Sequence, residues 1–149
     1  MQENQNAVLI PLINAAVTAA ETVSGSCDTR GYDEVRLVVS IVPSTTTNGS
    51  SVISFGDSDD NTTFVTVVAT QSVTTSTNHG LVICDIPAGV ARDRYVNVSV
   101  LQGSTTNATG HIAAMAILSR CAESPQSTSD MVQGAVGLTV FPDTVVIAS

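Results

Sequence analysis

The chain has 149 residues, 43% of them hydrophobic and only 12% charged, and its five arginines, absent lysines and 13 acids leave a net charge of −8. Phosphate-backbone binding needs concentrated positive charge, so this balance argues against nucleic acid as a partner. No Trp, two Tyr and three Phe leave little for a base-stacking platform or the aromatic floor of a sugar groove.

A chain of this length buries about 68–70% of its unfolded surface, enough for one self-sufficient core. That core is aliphatic by default. Ser and Thr fill 36 of the 149 positions, so the surface is hydroxylated and weakly charged, which lowers the barrier to packing against other protein and points to an assembly subunit. Three widely spaced cysteines, Cys27, Cys84 and Cys121, cannot form a fully paired disulfide framework and lack the close pairs of a structural zinc site; buried free thiols are expected. Met1–Asn6 carries Glu3 and no basic residue, unlike a secretory n-region, and no run reaches the ~20 apolar residues of a membrane-spanning helix. No membrane association is expected.

From Ala7 onward, short β-branched runs alternate with Gly, Asn, Asp, Ser and Thr clusters, which predicts an all-β chain. The expected strands are Ala7–Ile13, Val17–Val23, Glu34–Val42, Ser51–Phe55, Phe64–Thr70, Gly80–Ile86, Arg94–Leu101, His111–Leu118 and Gly137–Ile147. In the third, Val35, Leu37, Val39 and Ile41 form a core side, leaving Glu34, Arg36, Val38, Ser40 and Val42 on the other. In the seventh, Val96, Val98 and Val100 point inward while Tyr95, Asn97 and Ser99 point outward. The loops fall at Pro43–Ser50, Gly56–Thr63, Ser72–His79, Pro87–Asp93 and Gln102–Gly110. Strands of this number and spacing fit a jelly-roll-like antiparallel β-sandwich over 1–121, with 122–149 as a linker and apolar C-terminal segment, either a last strand or an assembly arm.

The motifs are poor in chemistry. Asp57, Asp59 and Asp60 alternate like calcium ligands, but counting from Asp57 the sixth position is Thr62 where Gly is needed and the twelfth is Val68 where Glu is needed. A turn whose Asp and Asn side chains bond nearby amides is the better account. His79 and His111 are the available bases, and neither lies in a nucleophile motif. Asp28, Asp33, Asp85 and Asp93 also sit in or beside turns, so no enzyme, metal, cofactor or small-molecule substrate is expected. Four N-x-S/T sequons, at Asn48, Asn61, Asn97 and Asn107, are near what this composition produces by chance. Arg92, Arg94 and Tyr95 gather where a strand begins, either as an interface anchor or as a charged strand entry that caps a loop. The apolar Val8, Leu9, Ile10, Leu12 and Ile13 and the tail residues Val140, Phe141, Val145, Val146 and Ile147 are the other candidate contacts.

One succession of elements is familiar. Asp28-Thr29-Arg30-Gly31-Tyr32-Asp33 feeds an aliphatic strand; then come Gly56-Asp57-Ser58-Asp59-Asp60-Asn61-Thr62-Thr63-Phe64, a strand ending Asp85-Ile86, and Arg94-Tyr95-Val96-Asn97-Val98. Over Ala15 to Leu118 this resembles the capsid decoration, or cement, proteins of tailed bacteriophages, whose sequences run D-x-R-G-Y-D, E-S-D-D-G-T-x-F and R-Y-V-x-V. Asn61 stands where that pattern has Gly, and nothing beyond Cys121 has a counterpart. The resemblance implies a β-sandwich subunit, commonly a homotrimer, on the outer capsid surface of a virion, where it clamps neighbouring copies of the major capsid protein. A receptor- or glycan-binding module of a head fibre or tail tip, using the Thr, Ser and Asn loops, is the alternative.

Overall fold

The computed structural model describes residues 7–18, 20–43, 49–67, 70–75, 80–86, 91–103, 109–120, 137–141 and 146–148, and every regular element among them is a strand. In chain order these are β1 (Ala7–Thr18), β2 (Thr22–Asp28), β3 (Glu34–Pro43), β4 (Gly49–Ser58), β5 (Val65–Thr66), β6 (Gln71–Thr75), β7 (Gly80–Ile86), β8 (Tyr95–Gln102), β9 (Thr109–Ser119), β10 (Gly137–Phe141) and β11 (Val146–Ala148). They form a six-stranded sheet, β1-β9-β3-β7-β10-β11, and a five-stranded sheet, β2-β8-β4-β5, with β6 paired to β4 beyond β5.

The antiparallel pairings are nested: β1 with β9, β2 with β8, β3 with β7, and β4 with β5 and β6. The chain is therefore one long antiparallel ribbon doubled back on itself and rolled so that its strands are shared between two packed sheets, which is a jelly roll. The predicted fold class is borne out. Alternation places the core between the sheets. Val35, Leu37, Val39 and Ile41 of β3, Val82, Cys84 and Ile86 of β7, and Ile112, Ala116 and Leu118 of β9 meet Ile53 and Phe55 of β4 and Val96, Val98 and Val100 of β8, all buried. The inward and outward sets expected for β3 and β8 are those observed.

Five boundaries differ from expectation, the first at β4, which runs Gly49–Ser58 where Ser51–Phe55 was expected, because its ends pair with β6, β5 and β8. The predicted strand Val17–Val23 is cut in two, because β1 runs on to Thr18 in one sheet and β2 starts at Thr22 in the other. Ala20 turns the chain with φ 59°, and Glu21 closes the turn through its backbone N–H to the Thr18 carbonyl. At the other end of β2, Cys27 and Asp28 belong to the strand, where a turn was expected. The described residues of Phe64–Thr70 supply the two-residue β5, while Gln71–Thr75, mostly read as loop, pairs with β4. The described residues of Gly137–Ile147 lie in β10 and β11, and β10 pairs with β7 inside the six-stranded sheet.

One irregularity makes β1 fit. Its inward side chains are Val8 and Ile10 before Leu12, but Ile13, Ala15 and Val17 after it, so the buried parity switches from even to odd. A one-residue slip would otherwise turn half the strand inside out. The register with β9 shifts between Pro11 and Ile13, an inserted bulge that absorbs the switch. The displaced Leu12 carbonyl crosses to β2 at Gly25, where a Cβ would lie 2.2 Å from the Leu12 oxygen. Only Gly leaves room for that approach.

Candidate interaction surfaces

One end of the sandwich is where the 28–33 turn, the 58–64 turn, residues 91–94 and the end of β9 meet. Its local geometry follows from small turn-forming residues. Gly31 has φ 87°, and Tyr32 N–H closes the turn on the Thr29 carbonyl. In the second turn Asp60 accepts from Ser58 Oγ at 2.8 Å and from the backbone N–H groups of Thr62 and Thr63 at 2.9 and 3.0 Å. The Thr62 hydroxyl first, and then these bonds, hold its carboxyl well below the usual carboxylate range. That is the amide-bonded turn expected in place of a calcium loop, and no cluster of metal-ligating side chains occurs among the described residues. Asn61 has φ 60°, a left-handed conformation that Asn and Gly adopt more readily than other residues. Its side-chain oxygen also accepts from Ser26 Oγ at 2.8 Å.

Arginines brace this end. Arg94 grips Asp28 through Nη2 to Oδ2 at 2.6 Å and Nε to both carboxylate oxygens at 3.1 Å, and its guanidinium carbon lies 4.9 Å from the centre of the Tyr95 ring. The Arg94 bonds, aided by the Arg30 N–H, hold the Asp28 carboxyl below its ordinary value. Thr29 donates both its N–H and its hydroxyl to the Arg94 carbonyl. Arg92 reaches the carbonyls of Tyr32 and Asp33 through Nη2 and Nη1, while its Nε is buried without a hydrogen-bond partner. Arg120 donates to the Gly31 carbonyl and lies over the Tyr32 ring at 5.4 Å. Asp93 is pushed upward by desolvation and by the neighbouring Asp59 and Asp57. Beside the arginines runs an open groove of about 660 Å³ lined by Thr29, Arg30, Ala91, Arg92, Asp93 and Arg94. The result is a preorganised rim in which Arg92 and Arg94 are bonded within the chain.

The two outer sheet faces differ in chemistry. On the five-stranded sheet the register sets Ser99 between Ser24 and Ser54, Ser26 beside Asn97, and Asp28 beside Tyr95, giving a mostly hydroxyl and amide surface with Leu101, between Thr22 and Val52, as its exposed apolar residue. On the six-stranded sheet it sets Pro11, Met115, Val38 and Ile83 in one row across four strands. Leu9 and Ile117 flank that row on one side, and Ala113 and Leu81 on the other. Leu9 is 64% and Met115 40% exposed. The charged pair on this face is Arg36 and Asp85, joined at 2.5 Å.

The sequence-derived contacts fall unevenly on this map. Leu9 is outward, but Val8, Ile10 and Leu12 pack against the core and Ile13 is 6% exposed within it. Ile13 is therefore struck from the candidate contacts, because the bulge turns it inward. Val140 and Phe141 lie in β10, Val146 and Ile147 in β11, and Val145 outside the described residues. The Met115 row was missed, although Val38 and Val42 on the otherwise polar side of β3 were its trace. Cys27 and Cys84 are free and buried, and burial pushes their thiols up to about 11 and about 12.

No protein-family model matches the chain, and no curated protein matches it. Solved structures resemble it. The PBSX exported protein XepA superposes with a TM-score of 0.54 over 80% of this chain at 16% identity, and this chain spans 39% of that one. A chain of infectious bursal disease virus Gx strain gives 0.49 and 11% identity, covering 90% of this chain and 36% of the viral one. The non-crystalline-cellulose-specific carbohydrate-binding module CBM28 gives 0.48 and 12% identity, covering 69% and 70%. At 16% identity the likeness to XepA is one of fold.

Proposed function

We propose that this chain is a structural subunit of a virion, seated on the outer capsid surface, where it stabilises the head by clamping neighbouring copies of the major capsid protein. The observation that carries this reading is the contrast between the two outer faces. A chain with five cations and 13 acids keeps the whole Pro11, Met115, Val38 and Ile83 row free of charge, as suits a surface meant to be covered by protein. The arginine-braced rim adds a second, polar surface whose shape is fixed before any partner arrives, which reduces the ordering cost of binding. Acting by contact alone, such a subunit favours the assembled lattice by mass action, and many copies add through avidity.

The test is to add purified protein to expanded phage heads and follow their thermal disruption. The reading predicts a disruption temperature that rises with occupancy and then saturates. Unchanged heads after saturating addition would refute it.

A second reading, a glycan-binding module, draws on the other outer face, where Ser24, Ser54, Asn97, Ser99 and Tyr95 offer hydrogen-bonding groups beside one aromatic ring. A glycan array probed with folded protein tests it, and an array without a hit excludes it.

A further inference from the structure

We infer that the outer face of the six-stranded sheet is covered by a second copy of this chain, packed sheet on sheet about a two-fold axis. The inference deepens the assembly reading, and takes from it only that this face is buried by protein. Three observations select the occupant.

The first is charge. The chain carries −8 overall, so two copies repel unless they meet through a neutral surface. The face carries only a small part of that charge. Arg36 and Asp85 neutralise each other by a two-point bond, Nε to Oδ1 at 2.5 Å and Nη2 to Oδ2 at 3.1 Å. At its margins Glu34 accepts from Ser119 Oγ at 3.0 Å, and His111 Nε2 lies 2.7 Å from Asn14 Oδ1. Glu34 leaves the face at −1 of the chain's −8, so a partner recognised by opposite charge would find little to answer.

The second is area. Four strands set about 4.8 Å apart give a width of about 19 Å, and ten residues of β3 at about 3.4 Å each give about 34 Å, a footprint near 650 Å². A specific interface needs roughly 500 Å² per partner. The face suffices without any other element.

The third is self-complementarity. Pro11, Met115, Val38 and Ile83 form a line perpendicular to the strands. A two-fold axis in the interface plane along that line sets Met115 on Met115 and Val38 on Val38 of the second copy, an apolar centre whose flanks bring Ile117 over Ala113, Arg36 over Ser40 and Asp85 over Leu81. Two sheets packing this way stand about 10 Å apart, as in a sandwich core. An isologous face closes at two copies, so this arrangement differs from the trimer implied by the family resemblance.

The experiment is light-scattering mass of the full chain from 1 to 100 μM, with three single variants. Leu9→Asp and Met115→Asp place charge on the face, and Ser24→Asp places it on the opposite one. The expected result is a dimer for wild type and Ser24→Asp, and self-association weakened at least tenfold in Leu9→Asp and Met115→Asp. Urea midpoints identify any variant that has merely lost stability. Leu9→Asp, at the most exposed site, decides the matter if Met115→Asp fails to fold. A wild-type monomer at 100 μM, a trimer, or a dimer indifferent to Leu9→Asp would overturn the inference. Capsid binding is scored separately. A monomer that still stabilises heads leaves the virion reading standing, and a dimer that ignores heads sinks that reading alone.

Discussion

Replacing Gly25 by Ala is expected to damage the fold far more than one methyl group suggests. The added Cβ would lie 2.2 Å from the Leu12 carbonyl oxygen and 2.7 Å from its carbon. Ordinary contact begins near 3.4 Å, so β1 and β2 must separate by about 1.2 Å at this seam (3.4 − 2.2). No rotamer relieves the clash, because both obstructing atoms are backbone. Overpacking of this kind costs about 1–3 kcal/mol, and the rigidity of the obstacle places Gly25→Ala at about 2–3 kcal/mol. For a domain of this size that is a fall in Tm of about 5–10 °C. The assay is urea and thermal unfolding by far-ultraviolet circular dichroism, with the exposed neighbour Ser24→Ala expected within about 0.5 kcal/mol of wild type. A Gly25→Ala protein melting within 1 °C of wild type would refute the close approach, and with it the bulge that explains how β1 buries both halves of its apolar set.

Other expectations follow from single contacts. Asn61→Gly keeps the left-handed turn and loses only the Ser26 bond, whereas Asn61→Ala also strains a φ of 60°; the Ala variant should be the less stable by about 1 kcal/mol in urea melts. Because Arg94 lowers the folded-state value of Asp28, the stability that carboxylate contributes is fully present above its unfolded value of about 3.9 and is lost as pH falls through the folded value. The Tm gap between wild type and Asp28→Asn should therefore be constant above about pH 5 and close on acidification; a gap that widens in acid would contradict the pairing. Asp93 has the opposite sign, its folded value being raised, so Asp93→Asn should melt higher than wild type at pH 7 and equal to it below about pH 3. In a Cys121→Ser background, Cys27 and Cys84, with thiols pushed up to about 11 and about 12, should resist a thiol reagent in the folded state and react once unfolded.

The parts of this fold that were legible in the sequence are those set by period-two burial. The two sides of β3 and of β8 are written in alternating Val, Leu and Ile, and those strands occur where expected. The failures share a cause: each depends on which sheet a segment joins, which local composition does not encode. Val17–Val23 reads as one β-branched run, yet the chain changes sheets at Ala20. The rim was half legible. Arg92, Arg94 and Tyr95 stood out as a cluster, but their partners Tyr32, Asp33 and Asp28 lie about sixty residues away and become neighbours only through the nested pairing. The apolar row was hardest to read, since its four residues come from four strands and each alone is an ordinary exposed hydrophobe.

The central claim is that this chain acts by binding a protein lattice, and co-sedimentation with empty capsids tests it most directly. The account predicts saturable pelleting with a fixed number of copies per capsid, unchanged by added soluble glycans. A protein that stays in the supernatant across the whole titration would contradict it.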